Sequence, residues 1–127
     1  MTPIERMSIW VTGSFTAFHH YPGAPDDVSY LREPHRHKFY WRAEIFINPA
    51  VDRELEFHQV QRTINEKLPL CINKSDAGSC EMMAKAISKV ITEHITLSGR
   101  IITVSEDNEC GSTYYHYLSN LNVLYKS

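Results

Sequence analysis

Strict side-chain alternation in two runs, each with histidine at the end nearer the other, constrains this chain most. In Ser8 to His19 the odd positions hold Ile9, Val11, Phe15, Ala17 and His19. In His35 to Asn48 they hold His35, His37, Phe39, Trp41, Ala43, Ile45 and Ile47. Alternate residues of a strand share a face, so each run predicts a strand with one apolar side. Residues 20–34 carry Pro22, Gly23, Pro25 and Pro34 and predict a long connection. If the runs pair antiparallel, His19 ends one strand where His35 and His37 begin the next. Three imidazoles then meet on one patch. Neutral imidazole is a good zinc ligand, and three of them leave a fourth position for water or substrate. His19, His35 and His37 are therefore the candidate metal ligands, with Zn2+ the expected cofactor. His20 points the other way, toward solvent. A His-x-His pair alone is equally the mark of a half-buried strand surface, so the remaining segments have to decide.

With 127 residues the chain is long enough for one domain with its own core, expected to span 1–127. A net charge of -2 gives no basic footprint for nucleic acid and no polybasic membrane patch. No apolar run has the length of a membrane span, and Met1 to Arg6 lacks the apolar core of a signal peptide. The three cysteines, Cys71, Cys80 and Cys110, are odd in number and show no Cys-x-x-Cys spacing. That argues against a disulfide framework and for a reducing, cytoplasmic compartment. Each is expected to be a small buried hydrophobe.

Along the chain, the first strand covers 8–19, with Gly13 a candidate bulge. The second covers 37–48 and ends at Asn48-Pro49. A helix from Asp52 or Arg53 to Leu68 is predicted by the stripe Phe57, Val60, Ile64 and Leu68, with Pro69 as its stop. Ser79 is a good N-cap for a second helix, whose apolar face is Met83, Ile87, Val90, Ile91 and Ile95 and whose stop is Ser98-Gly99. Strands at 100–106 and 112–118 follow, joined by a turn at 107–111; the tail beyond reads as irregular or a short helical turn. The order is ββααββ. It predicts an α+β fold, a four-stranded antiparallel sheet with two helices on one face. The other face keeps apolar and aromatic groups, and the sheet has two free edges. Both favour a homo-oligomer.

In this order the segments resemble the 6-pyruvoyl tetrahydropterin synthases and the related 6-carboxytetrahydropterin synthases, over nearly the whole chain. Phe15-Thr16-Ala17-Phe18-His19 is similar to the family's Phe-x-Ala-x-His, and His35-Arg36-His37 to its His-Gly-His, with Arg36 in place of Gly. Glu56-Phe57 resembles an Asp-Phe pair at the start of the first helix. Gly78-Ser79-Cys80-Glu81 stands where the family has Pro-Thr-Ser/Ala-Glu. Val104-Ser105-Glu106 with Gly111 and Tyr114 resembles the segment whose Glu anchors the pterin ring. The resemblance implies the tunnelling fold, zinc on the three histidines, and a dihydroneopterin triphosphate-like substrate whose ring Glu106 grips by a bidentate contact. Asp107 and Glu109 compete with Glu106 for that role. It also implies trimers stacked into hexamers, with sites between subunits.

The chain departs from the pattern where the family moves protons. Leu31 stands at the position of the catalytic Cys, and Lys67 to Asn73 holds neither Asp nor His where the family has an Asp-His pair. Glu33 is the acid/base candidate left, and Cys71 is a thiol near the lost pair. Three readings stay open. One is a zinc-dependent synthase-like enzyme. Another is a fold relative that has lost the synthase reaction and binds or processes another pterin, purine or nucleotide. The third is an interaction protein with incidental histidines.

Overall fold

The computed structural model describes residues 3–117. Its elements are β1 (Met7–His19), β2 (His35–Ile47), α1 (Phe57–Lys67), α2 (Cys80–His94), β3 (Arg100–Glu106) and β4 (Cys110–His116). The strands form one antiparallel sheet in the order β1-β2-β3-β4, with both helices on one face. This is the predicted α+β arrangement. Val11, Ala17, Phe39, Trp41, Ala43 and Ile45 meet Ile102 and Val104 beneath Val60 and Ile64 of α1 and Met83, Ile87 and Ile91 of α2. Odd positions of β1 and β2 share that face with even positions of β3, because Ile45 pairs with Arg100 and Ala43 with Ile102.

Gly13 is not a bulge. The β1–β2 register runs unbroken from Met7↔Ile47 to His19↔His35. A Cβ at Gly13 would stand 2.4 Å from the indole of Trp41, its cross-strand partner, so the glycine makes room for that ring. The alternation is loosened by side-chain volume, not by an extra residue.

α1 begins at Phe57, later than the Asp52 or Arg53 expected. Arg53 holds a left-handed φ of 54°, which a helix excludes. Glu54 is spent accepting from the Asn48 N–H at 2.7 Å. The start is set by Glu56, whose carboxylate accepts from the Gln59 N–H at 2.7 Å. Phe57, at the first helical position, is 51% exposed and does not join the stripe of Val60, Ile64 and Leu68. Beyond Lys67 a 3-10 turn, Leu68–Leu70, carries Pro69. α2 has the expected cap, Ser79 Oγ accepting from the Met82 N–H at 3.1 Å. It ends at His94, four residues before Ser98.

The connection 20–34 is not plain loop. Asp26–Arg32 forms 3-10 turns broken by a kink at Val28, and Arg32 donates to Ala24 O and to Asp26. The β3–β4 turn is shorter than 107–111. Asp107 and Asn108 adopt left-handed φ of 52° and 62°, and Glu109 N–H reaches Glu106 O at 2.9 Å. β4 therefore starts at Cys110 and ends at His116. The expected extension of that strand to residue 118 and the helical turn in the tail lie outside the described residues.

Two of the cysteines are not core residues: Cys71 and Cys110 are exposed, and Cys80 alone is buried. Among the described residues no helix is long and apolar enough to cross a membrane. The outer sheet face exposes Trp10, Phe18 and Tyr115.

Candidate metal centre

The β1–β2 register brings the histidines together. His19 pairs with His35, and Ala17, two residues back on the same face, pairs with His37. The three ring centroids lie 4.5, 4.9 and 5.5 Å apart, with planes inclined at 65° to 89°. Phe39 is fully buried next along the face, and its ring lies edge-on to His19 at 5.1 Å. The floor of the cluster is thus apolar.

Each imidazole is held through Nδ1. The segment Lys74 to Gly78 runs beside β1, with Phe18 N–H donating to Lys74 O and Ala77 N–H to Phe18 O, both at 2.8 Å. That pairing covers this end of the β1 edge and presents Gly78 O to His19, whose Nδ1 donates to it at 2.8 Å. Gly78 has a φ of 82°, which only glycine adopts without strain, and it leads directly into the Ser79 cap of α2. His35 Nδ1 donates to Glu33 O at 2.9 Å. His37 Nδ1 donates to Asp107 Oδ2 at 2.7 Å. Asp107 is fixed in turn: its other oxygen accepts from the Lys38 N–H at 3.2 Å, and its own N–H donates to Lys38 O at 2.8 Å. Its carboxyl is held below the usual aspartate range, first by the His37 hydrogen bond.

A carbonyl oxygen only accepts, so Nδ1 of His19 and of His35 carries the proton. In a neutral ring Nε2 is then a bare lone pair. One nitrogen from each of His19, His35 and His37 lies within 4.8 Å of the other two. Nε2 of His19 and of His35 are buried and make no hydrogen bond among the described residues. A buried polar atom left so costs ~1–3 kcal/mol. Converging lone pairs of this kind are what a divalent cation satisfies, and the outer partners on Nδ1 are those usual for metal-binding histidines. The residues present fit a metal ion.

The other predicted site residues separate. Glu106 joins the cluster: at the end of β3 its Oε1 lies 3.0 Å from His19 Nε2 and its Oε2 3.7 Å from His37 Nε2. Glu33 touches the site through its main chain, and its side chain is exposed. Leu31 is half-buried, its carbonyl accepting from the Tyr21 N–H at 2.7 Å. His20 is not in open solvent but lies half-buried with Nδ1 3.4 Å from Asp76. Cys80, at the start of α2, is close enough to Glu106 to feel its charge. Burial first, then Glu106 and Glu81, pushes its thiol up to about 12. It is no substitute thiolate.

Sequence reasoning missed the two groups that orient His19 and His37. The Gly78 carbonyl leaves no side-chain signal. Asp107 had one, an Asp-Asn pair closing a tight turn beside the strand end, but the turn's left-handed geometry decides where its carboxylate lands.

No family model matches the chain. No curated protein matches it in sequence. Among solved structures it is similar to 6-pyruvoyl tetrahydropterin synthase of Caenorhabditis elegans, with a TM-score of 0.63 and 13% identity over 91% of this chain and 99% of that one. At that identity the likeness is one of architecture: the chain has a fold like that of the pterin synthase, with its three imidazoles gathered at one end of the sheet.

Proposed function

We propose that the chain is a zinc-binding protein of the pterin-synthase type, acting on dihydroneopterin triphosphate or a related pterin or purine-like phosphate. The observation that carries this reading is the convergence of three imidazoles, each oriented through Nδ1, with two buried Nε2 atoms that make no hydrogen bond among the described residues. The fold shared with a 6-pyruvoyl tetrahydropterin synthase supports the substrate class. His19, His35 and His37 would hold the metal through Nε2. A cation there supplies Lewis acidity toward a substrate hydroxyl. The chain's own work is orientation: Gly78, Glu33 and Asp107 fix the rings, and Phe39 keeps water from beneath them. Glu33 is the loop's acid/base candidate.

Specific residues favour a second reading, a fold relative without the synthase reaction. Leu31 replaces the expected Cys, Lys67 to Asn73 lacks Asp and His, and the Cys80 thiol is held neutral. It would bind a pterin, purine or nucleotide beside the metal. In either case the exposed Trp10, Phe18 and Tyr115, and the β4 edge, support a homo-oligomer of the trimer or hexamer kind. Sedimentation as a monomer at micromolar concentration would reject that assembly.

The deciding experiment titrates Zn2+ into chelator-treated protein while the melting temperature is followed. Zinc at a hundred times its Kd should stabilise the native state by ~2.7 kcal/mol. His35→Ala and His37→Ala should not respond. A wild type indifferent to zinc rejects the metal centre. Zinc-loaded protein is then incubated with dihydroneopterin triphosphate. Triphosphate release selects the synthase, and ring binding without release selects the relative.

A further inference from the structure

A cavity of about 170 Å3 opens on the helix side of the sheet, between the edge strand β1 and the end of α1. Phe15, Trp41, Leu68 and Pro69 supply its apolar wall, and Asn65 and Lys74 bring polar groups to it. It is separate from the histidine cluster. Phe15, on its wall, stacks on Phe39 at 5.5 Å, and it is Phe39 that touches His19.

Two donors of this cavity are uncommitted. Trp41 is only 2% exposed, yet its indole N–H makes no hydrogen bond among the described residues. A buried indole N–H ordinarily finds an acceptor. The nitrogen lies 2.6 Å from where a Cβ would stand at Gly13, so the absent side chain leaves that edge of the ring uncovered. The Lys74 ammonium likewise has no ion-pair partner among the described residues, and no acidic side chain lines the cavity. Indole N–H and ammonium can only donate. What the cavity lacks is an acceptor with negative charge, and a carboxylate has two oxygens with which to meet both donors. The volume sets the size of the rest. An apolar cavity of roughly 150 Å3 holds one benzene ring, so a single ring fits here and a fused bicycle with a phosphate tail does not. The indole and phenyl groups on the wall suit a flat partner, stacked with an offset or edge-on.

We propose that this cavity is a second binding site, for a single-ring aromatic carboxylate, with the ring against Trp41 and Phe15 and the carboxylate held by Lys74 and the indole N–H. The site stands apart from the zinc reading above. Its ligand is smaller than a pterin, and it lies one aromatic layer away from the imidazoles, against the Phe15–Phe39 stack.

The test titrates benzoate into the full chain and follows the indole N–H signals in a nitrogen–proton correlation spectrum, with Trp10→Phe used to tell Trp41 from Trp10. Millimolar benzoate should shift the Trp41 signal saturably. Benzylamine, with the same ring and the opposite charge, should not. Lys74→Gln should weaken benzoate binding about tenfold or more, and Lys74→Arg should retain it. The Lys74 side chain is exposed and the fold uses only its carbonyl, so these variants keep the structure. His35→Ala, which removes a candidate metal ligand, should bind benzoate as wild type does. A Trp41 signal that benzoate leaves unmoved overturns the proposal, and so does an equal response to benzylamine. Benzoate binding lost in His35→Ala and intact in Lys74→Gln also overturns it, because the carboxylate then sits on the metal centre. A Trp41 signal that responds only when the chain is diluted to monomer overturns it as well, because a second copy then covers the cavity.

Discussion

His37 donates its Nδ1–H to Asp107 Oδ2 across 2.7 Å, and Asp107 is the residue directly after Glu106. One turn therefore supplies both the carboxylate that faces the imidazole nitrogens and the one that orients an imidazole from behind. A carboxylate on Nδ1 fixes the tautomer and makes Nε2 a better donor to a cation. Asp107→Asn keeps the size but offers a weaker partner, and the amide can turn its NH2 toward the ring. The expected result is a ~10–100-fold loss of Zn2+ affinity, with the melting temperature of the chelator-treated protein nearly unchanged. Equal affinity in a chelator competition would show that the Lys38 main chain, and not His37, is what Asp107 serves.

Gly13 and Trp41 form a matched pair across β1 and β2. The indole occupies the space a Cβ at Gly13 would need, 2.4 Å from its ring atoms. Gly13→Ala should cost ~1–3 kcal/mol by overpacking, measured by denaturant unfolding. In a Trp41→Phe background, whose smaller ring leaves that space open, the same change should cost at least ~0.5 kcal/mol less. An equal cost in both backgrounds would place the need for glycine in the backbone of β1.

Arg100 is fully buried at the start of β3, and the acceptors around it are neutral. Its guanidinium donates to Ser88 O at 2.9 Å, Thr96 O at 3.0 Å and Ser98 O at 2.7 and 2.9 Å, and also to the Ser88 and Thr92 hydroxyls. These groups belong to the last turns of α2 and the chain just beyond. The positive charge thus lies at the negative end of the helix dipole and binds the end of α2 to the sheet. Arg100→Met should cost ~3 kcal/mol or more, because several buried carbonyls lose their donors together. Arg100→Lys, with three donors on a single nitrogen, should recover only part of this. A loss under ~1 kcal/mol would mean that water enters and replaces the guanidinium.

What was legible in the sequence was whatever alternates. The odd positions of β1 and β2 determined strands, faces and the meeting of His19 with His35 and His37, because side-chain direction in a strand is fixed by parity. The apolar stripe and the Ser79 cap identified α2 in the same way. Where main-chain geometry decides, the sequence was silent. Nothing in the letters around Arg53 announces a left-handed residue, so α1 was begun too early. Gly13 was read through its backbone freedom when its missing side chain mattered more. The site followed the same division. The imidazoles were visible, while the carbonyl of Gly78 and the turn that swings Asp107 under His37 were not. Glu106 was singled out for a ring contact, whereas the direction of its carboxylate, toward the imidazole nitrogens, is a tertiary fact.

The thiols give a last check, and it bears on chemistry. Cys71 and Cys110 are exposed, whereas Cys80, the first residue of α2, is buried with its thiol pushed up to about 12, by burial first and then by the Glu106 and Glu81 carboxylates. Only the thiolate attacks a disulfide reagent. Near pH 8 an ordinary cysteine is ionised to roughly a quarter, while Cys80 would be ionised to about one part in ten thousand. Native protein treated with an aromatic disulfide should therefore release two equivalents of chromophore quickly and the third only on unfolding. Cys80→Ala should abolish the slow equivalent and leave the fast two. If Cys80 reacts as fast as the exposed pair, its thiol is accessible and ionises readily. A nucleophilic sulfur would then stand beside Glu106.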